Sequence, residues 1–204
     1  MSVTASKRPL SGAGPIVLQC PTPAGWLPQA LFRLDLLLSD HAHCEKKAAA
    51  HALSMIQLYP EMPGLAAQMA RLAREESAHL ARVLTLLEQR KWPLLRDEGD
   101  PYVQKLLERV RPPSRERKLD RFLVAGIVEA RSCERLSLLA EGLTEPPLRQ
   151  FYAELAQSED GHQALFHRLA CQATSLEEAN VRLAELLDFE ARLVATLPLR
   201  PAIH

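Results

Sequence analysis

The chain has 204 residues, of which 47% are hydrophobic and 25% charged, and its 25 basic and 25 acidic side chains give a formal net charge of zero. This length and apolar content suit one buried core and exclude a disordered chain. Without a basic excess, any polyanion site is expected to be local. Aromatic residues make up only 5% while Leu and Ala dominate, which favours an all-α fold over a β-sandwich or barrel.

The cysteines and the N-terminal residues bear on the cellular location of the protein. Cys20, Cys44, Cys133 and Cys171 are scattered without a Cys-x-x-Cys pair, which argues against a disulfide framework and a thiolate zinc site. Pro and Gly interrupt the N-terminal region before an apolar run reaches signal-peptide length, and no later stretch approaches the ~18 apolar residues of a membrane span. We therefore expect a cytoplasmic protein that does not enter a membrane.

Prolines and glycines divide the chain into elements. Residues 1–25 contain four prolines and three glycines, so we expect an extended N-terminal arm, followed by a helical domain over residues 26–204. Apolar residues recur at helical spacing over Trp26–Tyr59, which predicts one long first helix that stops at the next proline. A second helix is predicted within residues 63–92.

The second half of the chain begins with an irregular connection. Residues 93–113 are expected to hold only a short helix over 101–110, and so long a connection is typical of a crossover or a functional loop. A third helix is expected over 114–142 with Ser114 as its N-cap, and a fourth from about residue 144 to 171. Ser-Leu-Glu-Glu at 175–178 is a capping box for a fifth helix ending near Pro198. The prediction is a four-helix bundle with a crossover between helices 2 and 3 and an extra flanking C-terminal helix.

Two Glu-x-x-His pairs and two single glutamates interrupt the apolar stripes of the four long helices. Because residues three apart share a helix face, each pair points to the core. Buried ions without partners cost several kcal/mol each, and a dinuclear metal centre would compensate them. One Glu from each of two helices plus Glu-x-x-His from the other two is the pattern of ferritin-like di-iron and di-manganese proteins. The predicted metal ligands are Glu45, Glu76, His79, Glu129, Glu159 and His162.

The spacing of these residues repeats in the two halves of the chain. Glu45 precedes Glu76 by 31 residues, and Glu129 precedes Glu159 by 30. Glu75 has only a serine at the equivalent place in the fourth helix, so Glu76 is the predicted ligand. Carboxylates with two imidazoles and no thiolate favour iron or manganese over zinc or copper. The other histidines near this level have no counterpart in the other half, and we interpret them as supporting, core or surface residues: His41, His43, His51 and His167.

Four segments around the predicted ligands resemble one family. They are DHAHCEKKAAAHALSMI (40–56), AREESAHLARVLTLLEQR (73–90), VEARSCERL (128–136) and SEDGHQALFHRLA (158–170). They are similar to the tRNA 2-methylthio-N6-isopentenyladenosine hydroxylases, the ferritin-like MiaE family, and the likeness covers the chain from about residue 25 to its last residue. The resemblance implies a non-haem di-iron monooxygenase that hydroxylates the isopentenyl side chain of a hypermodified adenosine beside the anticodon. It implies two irons on the six ligands, dioxygen as cosubstrate, and two electrons from an electron-transfer protein or reductase.

A basic segment, residues 109–121 (RVRPPSRERKLDR), precedes and enters the third predicted helix. Its six basic and two acidic side chains give it a net charge of +4. We expect a tRNA phosphate backbone to dock here while the target base reaches the metal site. The alternative is a solvated helix start, which charge runs usually are. The candidate tRNA-binding residues are Arg109, Arg111, Arg115, Arg117, Lys118 and Arg121.

Other functions use the same kind of ligand set. A ferroxidase or iron-storage protein would oxidise iron without an organic substrate, but storage cages need extensive bundle surfaces, whereas this chain has a Pro-rich arm and an irregular basic crossover. A di-iron hydroxylase of a membrane quinone would need a lipid-facing helix, and the charges of the fifth helix are spread around it. A helical binding module with a relic site would bind no metal tightly and consume no oxygen.

Overall fold

The computed structural model describes residues 14–204, so the first part of the predicted arm, residues 1–13, lies outside the described range. The described chain contains seven helices and no strand. They are α1 (Trp26–Phe32), α2 (Leu34–Leu58), α3 (Leu65–Gln89), α4 (Pro101–Leu107), α5 (Ser114–Gly142), α6 (Pro146–Ala173) and α7 (Leu176–Thr196). None of these helices combines the length and the apolar character needed to cross a membrane.

The four long helices α2, α3, α5 and α6 form a bundle. α2 packs along α3 and α5 packs along α6, and a short loop joins the members of each pair. A long connection that contains α4 leads from the first pair to the second, and α7 packs against α5 and α6. The predicted all-α bundle with a crossover and a flanking last helix is confirmed. Within the crossover, the short helix ends at Leu107 rather than at Val110.

The first predicted helix is divided in two. The helix breaks at Arg33, whose backbone has φ −120° and ψ 53°, so α1 and α2 replace the single helix expected over Trp26–Tyr59. Trp26 is fully buried, and its indole Nε1 donates to the Ala202 carbonyl at 2.9 Å. Packing against the chain's last residues thus overrides a helical pattern that contains no proline or glycine between residues 29 and 59.

Two helix starts were predicted from their capping residues. The Ser175 hydroxyl accepts the Glu178 N–H at 3.1 Å, so the cap predicted for α7 is confirmed. Ser114 is not an N-cap, because α5 begins at Ser114 itself and Pro113 occupies the cap position without a side-chain hydrogen bond. The ring of Pro113 fixes φ at −61°, which sets the direction of the chain into the helix.

A polar layer divides the core of the bundle into two apolar clusters. One cluster includes Met69, Phe122 and Phe166, and the other includes Leu38 and Tyr152. The six predicted metal ligands lie between the two clusters, and all are 8% exposed or less. So many ionisable side chains at one buried level need compensating charge.

Residues 14–25 run in extended form across α5 and α6. Ile16 is buried, and its N–H donates to the side-chain oxygen of Gln163 at 2.9 Å. Gly126 makes room for this contact, because a Cβ atom there would lie 2.7 Å from Ile16 Cδ1 and 3.3 Å from Phe166 Cβ. The described part of the arm is therefore packed on the bundle.

Candidate metal centre

The bundle helices bring all six predicted residues together in two groups of four. Within each group the candidate ligand atoms lie within 4.8 Å of one another. Both groups contain Glu76 and Glu159; the first adds Glu45 and His79, and the second adds Glu129 and His162. Each group has three carboxylates and one imidazole, and the two shared carboxylates could bridge two ions.

Glu76 provides a test of whether this donor set fits a metal. It is 1% exposed, yet neither of its oxygens has a hydrogen-bond partner within the described chain, and nor does His79 Nδ1. His162 Nδ1 lies 2.9 Å from Glu76 Oε1 and His79 Nδ1 lies 3.4 Å from Glu76 Oε2, but neither contact has hydrogen-bond alignment. Buried polar atoms without partners are costly, and a divalent cation among them would satisfy them. The residues therefore fit a metal centre.

The buried carboxylates of this layer raise the pKa values of the histidines beside them. Burial acts to lower the pKa of His79, but Glu45 and Glu76 outweigh it and raise that pKa to about 10. Burial likewise opposes a rise at His162, where Glu159 and Glu76 raise the pKa to about 12. Burial and the charges of Glu159 and Glu76 raise the pKa of Glu129 well above its usual value. These protons offset the buried negative charge, and metal ions would replace them.

His41 supports one of the candidate ligands. Its Nε2 lies 2.7 Å from Glu45 Oε1, it is 1% exposed, and its ring stacks on Tyr152 with the centroids 5.6 Å apart. Such a contact to a carboxylate fixes the orientation of that ligand. Glu75 Oε2 lies 3.2 Å from His162 Nε2, and Glu75 belongs to neither group of four. The spacing argument that preferred Glu76 over Glu75 agrees with this placement.

A cavity of about 300 Å³ lies beside the two groups. Its lining includes the buried side chains of Glu45, Glu129 and Glu159 and the partly exposed Lys47 and Arg121. Apolar side chains from α4 and α5 form much of the wall: Val103, Leu107, Val124, Ala125 and Val128. The sequence predicted a functional connection around α4 but gave no signal for this wall, or for the part that Ser132, Ile203 and His204 contribute.

The candidate tRNA-binding residues lie at the start of α5 and just before it. Arg111 makes two hydrogen bonds to the fully buried carboxylate of Asp120, at 2.8 and 2.9 Å, and so belongs to the fold. Four others also have partners: Arg109 lies over the Phe189 ring, Arg115 pairs with Glu178, Arg117 donates to the Pro112 carbonyl and Lys118 pairs with Glu61. Among the six, Arg121 lines the cavity.

A helical bundle whose core holds two Glu and His groups joined by shared carboxylates is of the ferritin-like class. Comparison with known proteins identifies the family within this class. The family model described as tRNA-(MS2IO6A)-hydroxylase (MiaE) matches residues 14–204. The chain belongs to the MiaE family.

Two curated relatives carry the same name, tRNA 2-(methylsulfanyl)-N(6)-isopentenyladenosine(37) hydroxylase. The protein from Pseudomonas putida strain KT2440 is 40% identical over 153 residues, which cover 75% of this chain and 74% of the relative. The protein from Salmonella typhimurium strain LT2 is 28% identical over an alignment that covers 87% of this chain and 83% of the relative. The likeness extends over most of each protein.

A solved structure has the same fold. It is described as protein 43 with aldehyde deformylating oxygenase activity from Synechococcus. Its TM-score is 0.87 and its sequence identity is 38%, and the match covers 92% of this chain and 94% of that one. The bundle is therefore similar to that of a protein whose description names aldehyde deformylation rather than tRNA hydroxylation.

Proposed function

We propose that the protein hydroxylates the isopentenyl side chain of 2-methylthio-N6-isopentenyladenosine next to the anticodon of tRNA, using dioxygen and two electrons. Membership of the MiaE family and the names of two relatives support this substrate. The observation that carries the chemistry is the pair of four-residue groups with two shared carboxylates beside the cavity. The substrate and four free cysteines fit a cytoplasmic location.

Two iron ions are the proposed cofactor. Glu45 and His79 would hold one ion, Glu129 and His162 the other, and the carboxylates of Glu76 and Glu159 would bridge them. Paired irons supply the electrons needed to cleave dioxygen. An electron-transfer protein or reductase would restore those electrons. The chain itself supplies ligand geometry, a fixed carboxylate at Glu45 through His41, and apolar walls that limit water.

The cavity suits a substrate that is apolar at one end and charged at the other. Its apolar wall would receive the isopentenyl group near Glu129, and Arg121 and Lys47 would face the nucleotide's phosphates. Exposed Arg115 and Arg117 would extend this interaction along the backbone of the tRNA. Arg111 is the weakest member of the predicted set, because Asp120 already holds it.

The proposal is tested by anaerobic loading with ferrous iron, followed by oxygen, a chemical reductant and tRNA carrying the isopentenyl modification. Mass spectrometry of the nucleosides should find one added oxygen on the modified adenosine. Glu129→Ala and His162→Ala should abolish that product, and Glu154→Ala, an exposed change on α6, should keep it. A wild-type protein that binds two irons and consumes oxygen while leaving the nucleoside unchanged would overturn the proposed substrate.

An aldehyde-deformylating oxygenase function is the second candidate. It is favoured by the Synechococcus structure and by the largely apolar wall of the cavity. The same loaded protein should be given a medium-chain aldehyde in place of tRNA. Release of formate and a shortened hydrocarbon at a rate exceeding that of tRNA hydroxylation would favour this candidate over the first.

A further inference from the structure

A chain of three hydrogen-bonded side chains reaches the cavity from outside the metal layer. His204 Nδ1 lies 3.0 Å from Asp100 Oδ2, and His204 Nε2 lies 2.8 Å from the hydroxyl oxygen of Ser132. All three residues line the cavity. Ser132 follows Glu129 by three residues on α5, so it lies one helical turn away on the same face.

The ring of His204 is held in place from several sides. It stacks on Tyr102 with the centroids 5.5 Å apart and an angle of 11° between the planes. Its own chain segment is fixed at Ile203, whose N–H donates to Asp40 at 2.7 Å and whose carbonyl accepts from Arg135 at 3.0 Å. These interactions leave both ring nitrogens directed at Asp100 and Ser132.

Charged and titratable groups surround this ring. Burial acts to raise the pKa of Asp100, but the neighbouring His204 outweighs it and the pKa falls to about 2, so Asp100 is ionised at neutral pH. The other groups around the ring and its segment are Cys44 and Asp40 on α2, Tyr102 on α4 and Arg135 on α5, with Lys47 near Asp100. An ionised Asp100 accepts the Nδ1–H bond and leaves Nε2 to exchange a proton with the Ser132 hydroxyl.

The proposed reaction requires protons inside the cavity. Conversion of R–H and O₂ to R–OH and water consumes two electrons from the reductant and two protons: the C–H and O–O bonds break, and one oxygen atom leaves as water. The cavity wall is largely apolar, so these protons need a defined route. We propose that Asp100, His204 and Ser132 form a proton relay that serves hydroxylation. This inference rests on the proposed function.

The other imidazoles of the cavity wall do not offer such a route. His41 uses Nε2 on Glu45, and its Nδ1 has no hydrogen-bond partner within the described chain. Burial and the nearby Arg121 lower the pKa of His51 to about 4, which leaves it neutral at physiological pH. His204 is therefore the one cavity imidazole in residues 14–204 with both nitrogens hydrogen-bonded.

The same three residue types also form hydrolytic triads, but the backbone argues against that role here. Ser132 lies in the interior of α5, where the helix uses the backbone N–H groups of the residues that follow. An acyl-transfer site needs free N–H donors beside its nucleophile to stabilise an oxyanion. The arrangement thus favours proton transfer over nucleophilic attack.

The activity test compares variants that keep or remove each transfer step in the full-length, iron-loaded protein. His204→Gln and Ser132→Ala should lower kcat for tRNA hydroxylation about a hundredfold, the lower end of general acid–base effects, with KM for tRNA and iron content unchanged. Ser132→Thr keeps the hydroxyl and should retain most of the activity. Added imidazole should restore His204→Ala, and His43→Gln, outside the cavity wall, should behave as wild type.

A second readout needs no turnover. Nitrogen NMR of histidine-labelled protein without iron should find the His204 ring protonated at Nδ1, with its signal moved by Asp100→Asn and by Ser132→Ala. A kcat for His204→Gln within twofold of wild type would overturn the relay while leaving the hydroxylase intact. The relay would also be overturned if imidazole failed to restore His204→Ala and if Ser132→Thr lost as much activity as Ser132→Ala. A wild-type protein without tRNA hydroxylation would instead overturn both proposals.

Discussion

Glu76 and Glu159 differ from the other predicted ligands because each belongs to both groups of four. Removing either should therefore affect both metal positions, whereas removing Glu45 or Glu129 should affect one. Glu75, adjacent in sequence to Glu76, contacts His162 at Nε2 rather than at Nδ1, the nitrogen that faces Glu76. This pair of neighbouring glutamates allows the proposed ligand set to be tested with a one-residue shift.

Glu76→Gln should reduce bound iron from two ions per chain to fewer than one, because both positions then lose one of their two shared carboxylates. Glu75→Gln should keep two ions. Iron titration under anaerobic conditions, followed by metal analysis of the desalted protein, measures both variants. Equal iron content in the two variants would contradict the assignment of Glu76.

His41→Gln should weaken iron binding without changing the number of ions at saturation, because it loosens the orientation of Glu45. Outer hydrogen bonds of this kind are worth about tenfold to hundredfold in metal affinity. His43→Gln is the matched control, since His43 bonds to the Leu95 carbonyl rather than to a candidate ligand. An affinity that is the same in both variants would remove His41 from the account.

At the scale of elements, helical periodicity and ligand spacing predicted the bundle helices and the level at which the six polar residues meet. They did not predict the break at Arg33 or the cavity wall, because both depend on interactions between residues far apart in sequence. Trp26 bonds to Ala202, and His204 reaches Ser132 across the bundle. The prediction of Ser114 as an N-cap was wrong for a local reason, since Pro113 occupies the cap position and its ring fixes the backbone there.

α5 and α7 are joined by a buried ion pair. Arg131 and Glu190 are both fully buried, with the Arg131 guanidinium 2.7 Å from Glu190 Oε1. The same guanidinium donates to the Cys20 carbonyl at 2.8 Å and so ties the extended segment to the bundle. One side chain thus connects three parts of the chain.

Arg131→Met should lower the free energy of unfolding by about 3–5 kcal/mol, because the buried Glu190 carboxylate loses its positively charged partner and keeps, within residues 14–204, only the hydrogen bond from Tyr102. Arg192→Met, which removes the exposed Arg192–Asp188 pair on α7, should cost less than about 1 kcal/mol. Urea unfolding followed by circular dichroism gives both values. If Arg131→Met costs no more than Arg192→Met, the buried pair does not hold α7 to the bundle.

The basic segment should be tested without Arg111, whose removal would disturb Asp120. The triple change of Arg115, Arg117 and Arg121 to Ala should weaken tRNA binding and reduce the slope of log affinity against log salt by about one for each phosphate that is no longer neutralised. A control triple change of the exposed Arg71, Arg74 and Arg192 should leave that slope as it is in wild type. Equal slopes in the two triple variants would show that the basic side chains of this segment only face solvent at the start of the helix and do not neutralise tRNA phosphates.

At the scale of the whole molecule, the two halves of the chain contribute equivalent ligands to one polar layer, and the crossover and last residues close a cavity beside it. We propose that residues 26–204 act as one helical domain with residues 1–25 as an arm, because the described part of that arm packs on α5 and α6. The family fixes the class of reaction, and the cavity would determine which side chain of the substrate reaches the metals.

The most direct test of this account is a single turnover of the iron-loaded protein with ¹⁸O₂ and isopentenyl-modified tRNA. The account predicts that the hydroxyl group of the product nucleoside carries the heavy isotope, with one product formed per two electrons supplied. A product whose hydroxyl oxygen comes from water, or oxygen consumption without any change in the nucleoside, would contradict it.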